Sequence, residues 1–477
     1  MASYLPDAIT TPIAKSADYL KSTIGGLTWG PALAASKAAV TSLFGRIERG
    51  TLLVTDAETG ETVAYGVEMA REQKTNGRAS SRKAGAARKI ELRVINQAFW
   101  VRLFLFADMG FAESYMLGEV ECDDLTGFFE LFIQNRTQLA NATTLTSSIA
   151  ATITGLARRT NTLSNSLLNV SAHYDISNEM FAAFLSEDMT YSCPIWRAIS
   201  SASLESEEET LEEAQRTKLD RFIDGARIKP SDHVLEIGTG WGSFAIQAVR
   251  RTGCRVTSLT LSVEQKALAE KRIFAAGFGD KIEVKLMDYR ALPIPRLPYD
   301  KIISIEMLEA VGAEYLETYF SCIHRLLKPD GIAVFQCITM PEGRYEAYAK
   351  GEDFIRKYIF PGGHLPSITQ LIDNITKASE GTLVVEMVEN IGGHYAKTLR
   401  LWKEKFLTNF ESRIRPALMA EHQEMGEKEV EVFRKKWEVR ISPCNSSGHQ
   451  SHALTGPPST TSHIAKPDLR RRHLEMQ

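Results

Sequence analysis

The sequence has no pair of cysteines at the C-x-x-C spacing, although it contains six cysteines. Because structural zinc sites need closely spaced thiolate or imidazole ligands, we expect no metal centre. Cysteines scattered in this way are typical of proteins from a reducing compartment.

Long apolar runs and a strong charge of one sign are also lacking. No stretch reaches the ~18 apolar residues that a transmembrane helix needs, and the amino terminus lacks the pattern of a secretory signal. The formal net charge is −3, so no overall field attracts nucleic acid. We expect a cytoplasmic protein that does not bind nucleic acid. If its substrate is a lipid, we expect it to associate peripherally with the membrane.

The first 170 residues divide into three segments by composition. Residues 1–44 predict an arm that is partly helical or disordered, and residues 45–135 predict a small α+β domain. Within that domain the basic, glycine-rich stretch 73–88 predicts a loop, either simply solvated or able to recruit anionic lipid head groups. Residues 136–170 predict a helical connector.

From residue 229 onward, strand patterns alternate with helix patterns. The predicted strands are Val234–Gly238, Arg255–Leu261, Ile282–Asp288, Lys301–Met307, Gly331–Thr339 and Leu383–Asn390. Helices are expected after the first, second and fourth of these, and a charged amphipathic helix over 203–224 precedes them. This alternation predicts an α/β fold with a doubly wound, mostly parallel sheet.

A glycine-rich turn follows the first predicted strand. That strand contains Glu236 and runs into Gly-Thr-Gly-Trp-Gly (238–242), which begins a helix. Glycines there let the backbone turn tightly and approach a nucleotide-like ligand closely. NAD would require an acidic residue at the end of the second strand, but that strand ends in Thr-Leu-Ser (260–262). The pattern therefore favours S-adenosylmethionine (SAM) as the cofactor.

A further candidate, Asp288, follows the third strand at the carboxyl edge of the predicted sheet. Its carboxylate can accept a hydrogen bond from the amino group of adenine. The simpler alternative is that Asp288 caps a helix or closes a turn.

These motifs resemble those of the cyclopropane-fatty-acyl-phospholipid synthase and mycolic acid cyclopropane synthase family. The resemblance covers about residues 165–437, with a weaker similarity of residues 45–135 to the amino-terminal domain of the longer members. The segments that carry it are SAHYDISNEMFAAFLSEDMTYSC (171–193), VLEIGTGWGSFA (234–245), VTSLTLSVEQ (256–265), SIEMLEAVG (304–312), YIFPGGHLPS (358–367) and NIGGHYAKTLRLW (390–402). It implies a class I SAM-dependent methyltransferase domain, Rossmann-like in type, over 171–438.

The resemblance also implies a set of site residues. The residues implied for the SAM pocket are Tyr191, Ser192, Gly238, Gly240, Thr260, Leu261 and Gln265, to which the motifs above add Glu236, Gly242 and Asp288. Gln265 takes the place of the missing acidic residue at the ribose. The residues implied to hold a bicarbonate beside the reacting carbon are Cys193, Glu309, Ile338 and Tyr395, with Cys193 and Ile338 acting through backbone groups.

Two positions depart from the family pattern. Ala310 stands where the family has a histidine after the glutamate, and Gln336 aligns with the histidine that binds bicarbonate. Glutamine can donate a hydrogen bond but cannot carry a proton. Gln336 therefore joins the catalytic candidates, and the two departures bear on bicarbonate use and ring closure rather than on methyl transfer.

The final 39 residues, 439–477, are rich in Ser, Thr, Pro and His and predict a disordered tail. The resemblance stops at Glu438, for which an altered reading frame or a retained intron is our hypothesis. We expect the sheet to lack its usual last strand and to expose an edge.

Three functions remain open on this sequence. The first is a lipid C-methyltransferase that acts on the double bond of unsaturated phospholipid or fatty-acyl chains. There, Glu309 and the ring of Tyr395 would stabilise a carbocation, and loss of a proton would give a ring or, after a hydride shift, a methyl or methylene branch. The second is a small-molecule methyltransferase for amines or secondary metabolites, with Glu309 or His394 as the base. The third is a non-catalytic SAM-binding protein. The amino-terminal domain can support a homodimer in each case.

Overall fold

A computed structural model of the chain describes residues 29–66, 89–140, 177–197, 209–442 and 459–465. The chain forms two compact units, one from residues 1–174 and 422–455 and the other from residues 175–421 and 456–477. The continuous part of the second unit ends at residue 421, whereas the predicted methyltransferase domain extends from residue 171 to residue 438.

The first unit contains a four-stranded sheet and several helices. Its elements are α1 (Trp29–Phe44), β1 (Thr51–Asp56), β2 (Thr62–Gly66), β3 (Lys89–Val94), α2 (Ala98–Leu117), β4 (Val120–Cys122), α3 (Leu125–Gln134), α4 (Arg136–Ala140) and, from the later segment, α15 (Glu427–Ile441). The strand order is β2-β1-β3-β4, with β1 antiparallel to β2 and parallel to β3. β1 and β2 form a hairpin, and β3 is followed by the apolar helix α2.

Helix α15 extends into the segment predicted to be disordered. Val439 and Ile441 are buried on it, so the predicted tail does not begin at residue 439. Within the same unit the hydroxyl of Tyr115 donates a hydrogen bond of 2.5 Å to the Glu438 carboxylate. The helix continues because its apolar positions bury surface, which outweighs the polar composition of the residues that follow.

The second unit contains the predicted alternation of strands and helices. Its elements are α5 (Asn178–Phe184), α6 (Leu211–Gly225), β5 (His233–Ile237), α7 (Ser243–Thr252), β6 (Arg255–Thr260), α8 (Val263–Ala275), β7 (Ile282–Leu286), β8 (Tyr299–Ile305), α9 (Leu316–Leu326), β9 (Leu327–Ile338), α10 (Glu342–Lys350), α11 (Phe354–Tyr358), α12 (Ile368–Ala378), β10 (Val384–Asn390), α13 (Gly393–Asn409), α14 (Arg415–Glu421) and β11 (Ser459–Ala465). All six predicted strands are present, as are the helices after the first, second and fourth.

Seven strands form the sheet of this unit, in the order β10-β11-β9-β8-β5-β6-β7. The five strands from β9 to β7 pair in parallel, which confirms the predicted doubly wound, mostly parallel sheet. Alternate residues of a strand point to opposite faces of the sheet, and both faces of this sheet are covered by an apolar core. Leu235 and Ile302 belong to one apolar core, and Val234 and Ile303 belong to the other.

Strand β11 corrects the expectation of an exposed edge. It pairs antiparallel with β9, with Ser459 opposite Ile338, and with β10, with Ala465 opposite Val384. The prediction that the sheet lacks its last strand is wrong. A strand of seven residues in a polar segment has no sequence pattern long enough to predict it. Its hydrogen bonds to the strands on both sides come from the backbone, so they form whatever the side chains are.

Several predictions fall outside the described residues. These are the start of the amino-terminal arm, the basic loop 73–88, most of the connector, residues 171–176 of the first family motif, and residues 443–458 and 466–477 of the tail. Among the helices that are described, none is both long and apolar enough to cross a membrane. The same residues include no group of three or more His, Cys, Asp or Glu side chains that could hold a metal ion.

Candidate active site

The glycine-rich turn links β5 to α7 at the carboxyl edge of the sheet. Gly238 and Gly240 have φ angles of +101° and +51°, which glycine adopts without strain. The N–H groups of Gly238 and Thr239 both donate to the carbonyl of Leu259, at 3.0 Å. A methyl group added to Gly240 would meet no atom within 4 Å. The turn is therefore fixed to β6 and leaves open space above it.

A cavity of about 310 Å³ lies above this turn. Six of the predicted cofactor residues line it: Tyr191, Ser192, Glu236, Gly238, Gly240 and Gln265. It lies outside the carboxyl ends of the parallel strands, which is where open α/β sheets bind their ligands. A pocket of this size, with a few polar groups among aromatic side chains, fits SAM.

The other four predicted cofactor residues do not line the cavity. Gly242 starts α7 at a φ of +88°, and a methyl group there would approach the Ala269 Cβ at 3.4 Å, so its role is close packing. Thr260 donates to the side-chain oxygen of Gln265 at 3.0 Å and thereby orients a cavity residue. Leu261 is 73% exposed.

Asp288, the fourth of these residues, is held in an ion pair. Its two carboxylate oxygens accept hydrogen bonds of 2.9 and 2.6 Å from the Arg290 guanidinium. It also caps the short helical turn Tyr289–Ala291, as the simpler interpretation predicted. The Arg290 hydrogen bonds lower the pKa of Asp288, so its carboxylate is negatively charged.

Glu236 is buried in β5 below the cavity and is 3% exposed. One carboxylate oxygen accepts a hydrogen bond of 2.5 Å from the Ser258 hydroxyl. Burial raises the pKa of Glu236 to about 8, against the effect of the Ser258 hydrogen bond. Glu236 is thus largely protonated at neutral pH, unless a bound cation changes the local charge.

Two buried residues of α6, Gln215 and Lys218, hold the chain segment that carries Tyr191 and Ser192. The amide of Gln215 donates to the carbonyl of Ser192 at 2.9 Å, and the ammonium of Lys218 donates to the Ser192 hydroxyl at 2.6 Å. Burial lowers the pKa of Lys218 to about 8, although the charge of Glu306 acts in the opposite direction. Sequence analysis missed both residues, because α6 reads only as a charged amphipathic helix.

A second group of polar residues lies next to the cavity, where β8 and β9 end. One Glu306 oxygen accepts hydrogen bonds from the Cys193 N–H at 2.9 Å and from the Gln336 amide at 2.7 Å. The Gln336 amide also donates to the carbonyl of Cys193, at 3.1 Å. A Glu309 oxygen accepts from the Ile338 N–H at 2.5 Å. Four of the five catalytic candidates therefore meet here, where the backbone N–H groups of Cys193 and Ile338 donate to the two glutamates.

The carboxylates of this group differ in their surroundings. Burial, followed by the negative charge of Glu306, raises the pKa of Glu309 to about 8. The second oxygen of Glu309 is buried and has no hydrogen-bond partner among the described residues. Glu306 lines the cofactor cavity. Glu306 could not be selected from the sequence, because it occupies a variable position of the family motif.

The fifth catalytic candidate, Tyr395, lies in the first turn of α13. Its ring meets the Trp402 ring edge-on, with centroids 6.2 Å apart. His394 is the predicted alternative base. Its Nδ1 atom accepts a hydrogen bond of 2.9 Å from the backbone N–H of Trp196. Burial also lowers the pKa of His394. His394 is thus neutral, and one of its two ring nitrogens is already used.

Comparison with known proteins connects this geometry to a family. Residues 161–440 match the family described as mycolic acid cyclopropane synthetase. The chain is 40% identical over 343 residues to the tuberculostearic acid methyltransferase UfaA1 of Mycobacterium tuberculosis, covering 70% of this chain and 74% of that protein. It is 34% identical over 319 residues to the cyclopropane-fatty-acyl-phospholipid synthase of Escherichia coli, covering 66% and 76%.

Two solved structures share the fold. The cyclopropane synthase MmaA2 from Mycobacterium tuberculosis superimposes with a TM-score of 0.50 at 26% identity, covering 63% of this chain and 98% of that one. Coclaurine N-methyltransferase superimposes with a TM-score of 0.54 at 21% identity, covering 76% and 100%. At that identity, the second likeness shows the fold alone.

Proposed function

Because the chain belongs to the mycolic acid cyclopropane synthetase family and is a SAM-dependent methyltransferase, we propose that it modifies unsaturated acyl chains. The substrate is a phospholipid or a related lipid, and the site of modification is a carbon–carbon double bond. One observation carries the proposal: a pair of glutamates lies at the cofactor cavity. Glu306 lines the cavity, and Glu309 belongs to the polar group next to it. The names of the relatives in Mycobacterium tuberculosis and Escherichia coli support a fatty-acyl substrate.

The reaction needs a site that excludes water, because an isolated double bond is a weak nucleophile. Bound SAM would supply a methyl group on a positively charged sulfur. Aromatic side chains of Phe181, Tyr191, Trp241 and Phe360 line the cavity. Such a lining keeps water from competing with the alkene and holds the two reactants in place.

Methyl transfer to the alkene leaves a positive charge on the acyl chain. A negative charge or an aromatic ring face nearby stabilises that cation. Glu306 supplies the charge next to the cavity. Tyr395 supplies a ring that Trp402 holds in place. Because the substrate double bond belongs to a membrane lipid, the enzyme works at a membrane surface.

The direct test is to incubate the purified full chain with SAM carrying an isotopically labelled methyl group and vesicles of mixed unsaturated phospholipids. Mass analysis of the released acyl chains is expected to show labelled chains heavier by one CH₂ unit. Loss of unsaturation on that chain identifies a cyclopropane, and retained unsaturation identifies a methylene or methyl-substituted alkene.

Two variants sharpen this test. Glu309→Ala removes the carboxyl group that accepts a hydrogen bond from the Ile338 N–H and is expected to lower turnover, whereas Glu346→Ala removes a carboxyl group that is 84% exposed and is expected to leave turnover unchanged. Label found on an amine acceptor but on no acyl chain would contradict the proposal. SAM binding with no turnover on any lipid would contradict it as well.

A further inference from the structure

Glu306 occupies an unusual backbone position directly after β8. Its φ angle is +48°, in the left-handed region that glycine adopts freely and that other L residues disfavour. Its N–H donates to the carbonyl of Gln336 at 2.7 Å, so the position is fixed by β9. Unfavourable backbone conformations of this kind are concentrated at functional sites, where the side chain has a task.

The side chain of Glu306 occupies an anion-binding position. One of its oxygens accepts from two donors, the Cys193 N–H at 2.9 Å and the Gln336 amide at 2.7 Å. Gln336 is fully buried, so its amide has no water to bond to at this face. Two converging N–H groups in a buried setting stabilise a negative charge.

The family resemblance implies a bicarbonate at this same position, held by Cys193, Glu309, Ile338 and Tyr395. The residues present do not fit one. The N–H of Cys193 and the amide of Gln336 already donate to Glu306, and the N–H of Ile338 donates to Glu309. A bicarbonate there would have to displace one carboxylate and lie against the other.

We propose that the Glu306 carboxylate replaces bicarbonate in this enzyme and acts as the base that takes the proton from the methylated acyl chain. This inference rests on the proposed function. In the step, one C–H bond of the added methyl group breaks and its proton goes to a Glu306 oxygen. The electron pair left behind closes the three-membered ring or, after a 1,2-hydride shift, forms the double bond of a methylene group. The cation is neutralised in either case, and no oxidant or reductant is consumed.

Glu306 is better suited to this step than Glu309, for two reasons. Glu306 lines the cavity in which SAM would bind, whereas Glu309 is not among the residues that line it. The raised pKa of Glu309, about 8, also means that Glu309 mostly carries its proton at neutral pH and cannot accept another. Because Glu306 is only half-buried, its proton can return to solvent after each turnover.

The test compares wild-type protein with Glu306→Gly and Glu306→Gln. Glycine suits the left-handed backbone and opens the anion position, while glutamine keeps the shape but cannot act as a base. Glu380→Gly is the matched control, because Glu380 is an exposed glutamate with a φ of +52°. Two quantities are measured on the full chain: binding of ¹³C-bicarbonate by NMR, and methylation of unsaturated phospholipid in buffer freed of carbon dioxide, with and without added bicarbonate.

We expect wild type and Glu380→Gly to turn over equally with and without bicarbonate and to show no saturable bicarbonate binding. Glu306→Gln is expected to lose about 100-fold or more in kcat, which is the usual contribution of a general base. Glu306→Gly is expected to bind bicarbonate and to regain turnover when it is added.

Saturable bicarbonate binding by the wild type would overturn this inference, and so would a Glu306→Gln variant with wild-type kcat. If no acyl chain is methylated by any variant, the proposed function fails. In that event the NMR comparison of wild type with Glu306→Gly still decides whether Glu306 occupies the anion position.

Discussion

The indole of Trp402 stacks on the ring of Tyr191, with centroids 5.3 Å apart and planes inclined by 29°. Trp402 is fully buried and also meets the ring of Tyr395. Tyr191 lines the cofactor cavity, and Tyr395 is the candidate for stabilising the cation. A single side chain therefore positions one residue of the cofactor pocket and one of the proposed reaction site.

Replacing this indole is expected to disturb both places. Trp402→Ala should lower the free energy of unfolding by about 3–5 kcal/mol, the usual range for a buried tryptophan, and should lower kcat on lipid. Trp402→Phe keeps a stacking ring and should lose clearly less in both. Urea unfolding and turnover assays measure the two effects. A Trp402→Ala variant with wild-type kcat would show that the ring contacts serve stability alone.

Glu236 gives the protein a pH-dependent stability. Its folded-state pKa is raised to about 8, above the value of an exposed glutamate, so the folded state holds a proton that the unfolded state has released. Stability is then greatest below pH of about 4.3 and falls as the pH rises towards about 8. The difference for this one group is on the order of 5 kcal/mol, at 1.36 kcal/mol for each pKa unit.

Glu236→Gln removes the titrating group but keeps the shape of the side chain. It should therefore be more stable than wild type at pH 8, and the gap should close as the pH is lowered towards 5. Unfolding free energies measured at several pH values without cofactor provide the check. Parallel pH profiles for the two proteins would rule out this role for Glu236.

Lys218 is expected to support cofactor binding through Ser192. Lys218→Met keeps the apolar length of the side chain but removes the donor to the Ser192 hydroxyl, so the Kd for SAM should rise about tenfold, or 1.4 kcal/mol. Lys350→Met is the control, because Lys350 is 73% exposed and pairs only with Glu346 among the salt bridges of the described residues. Calorimetric titration gives both affinities. If Lys218→Met and Lys350→Met bind SAM with equal affinity, Gln215 alone fixes the chain segment that carries Ser192.

Asp288 has two proposed roles that a pair of variants can separate. If its carboxylate accepts the adenine amino group, Asp288→Asn should weaken SAM binding about tenfold. Arg290→Ala should leave binding unchanged or strengthen it, because it frees both oxygens from the ion pair. Unchanged affinity in Asp288→Asn would leave Asp288 only its cap of the turn Tyr289–Ala291.

Strand β11 is expected to be essential for folding. A chain that stops after residue 458 lacks β11 and leaves β9 and β10 with unpaired edges, which favours aggregation. A chain that stops after residue 465 keeps every described strand and should remain folded. Size-exclusion chromatography and circular dichroism distinguish the two. A monomeric, folded chain ending at residue 458 would show that β11 is dispensable.

The parallel part of the sheet could be predicted from the sequence because its strands are apolar and bounded by helices. β5 and β6 follow that pattern within a residue or two at each end. The family was predicted from the motifs and is confirmed by the match over residues 161–440. β11 could not be predicted, since its seven residues lack an apolar run, and its pairing depends on backbone groups far away in the sequence.

The candidate site could be predicted only where a motif marks it. Tyr191 and Gln265, which belong to motifs, both line the cavity. Glu306 was missed because its role depends on a bend after β8 and on donors from Cys193 and Gln336. Lys218 was missed because a lysine in a charged helix usually faces solvent. Both cases depend on tertiary contacts that no local pattern contains.

The position of β11 also bears on how the chain is made. Residues 391–458 separate it from β10, yet it lies between β10 and β9 in the sheet. During synthesis both neighbours leave the ribosome before the strand that joins them exists. β10 must therefore wait without a partner while α13, α14 and α15 are produced. This sheet can be completed only after residue 465 has been made, so a chain whose synthesis is interrupted within residues 391–458 keeps unpaired edges on β9 and β10.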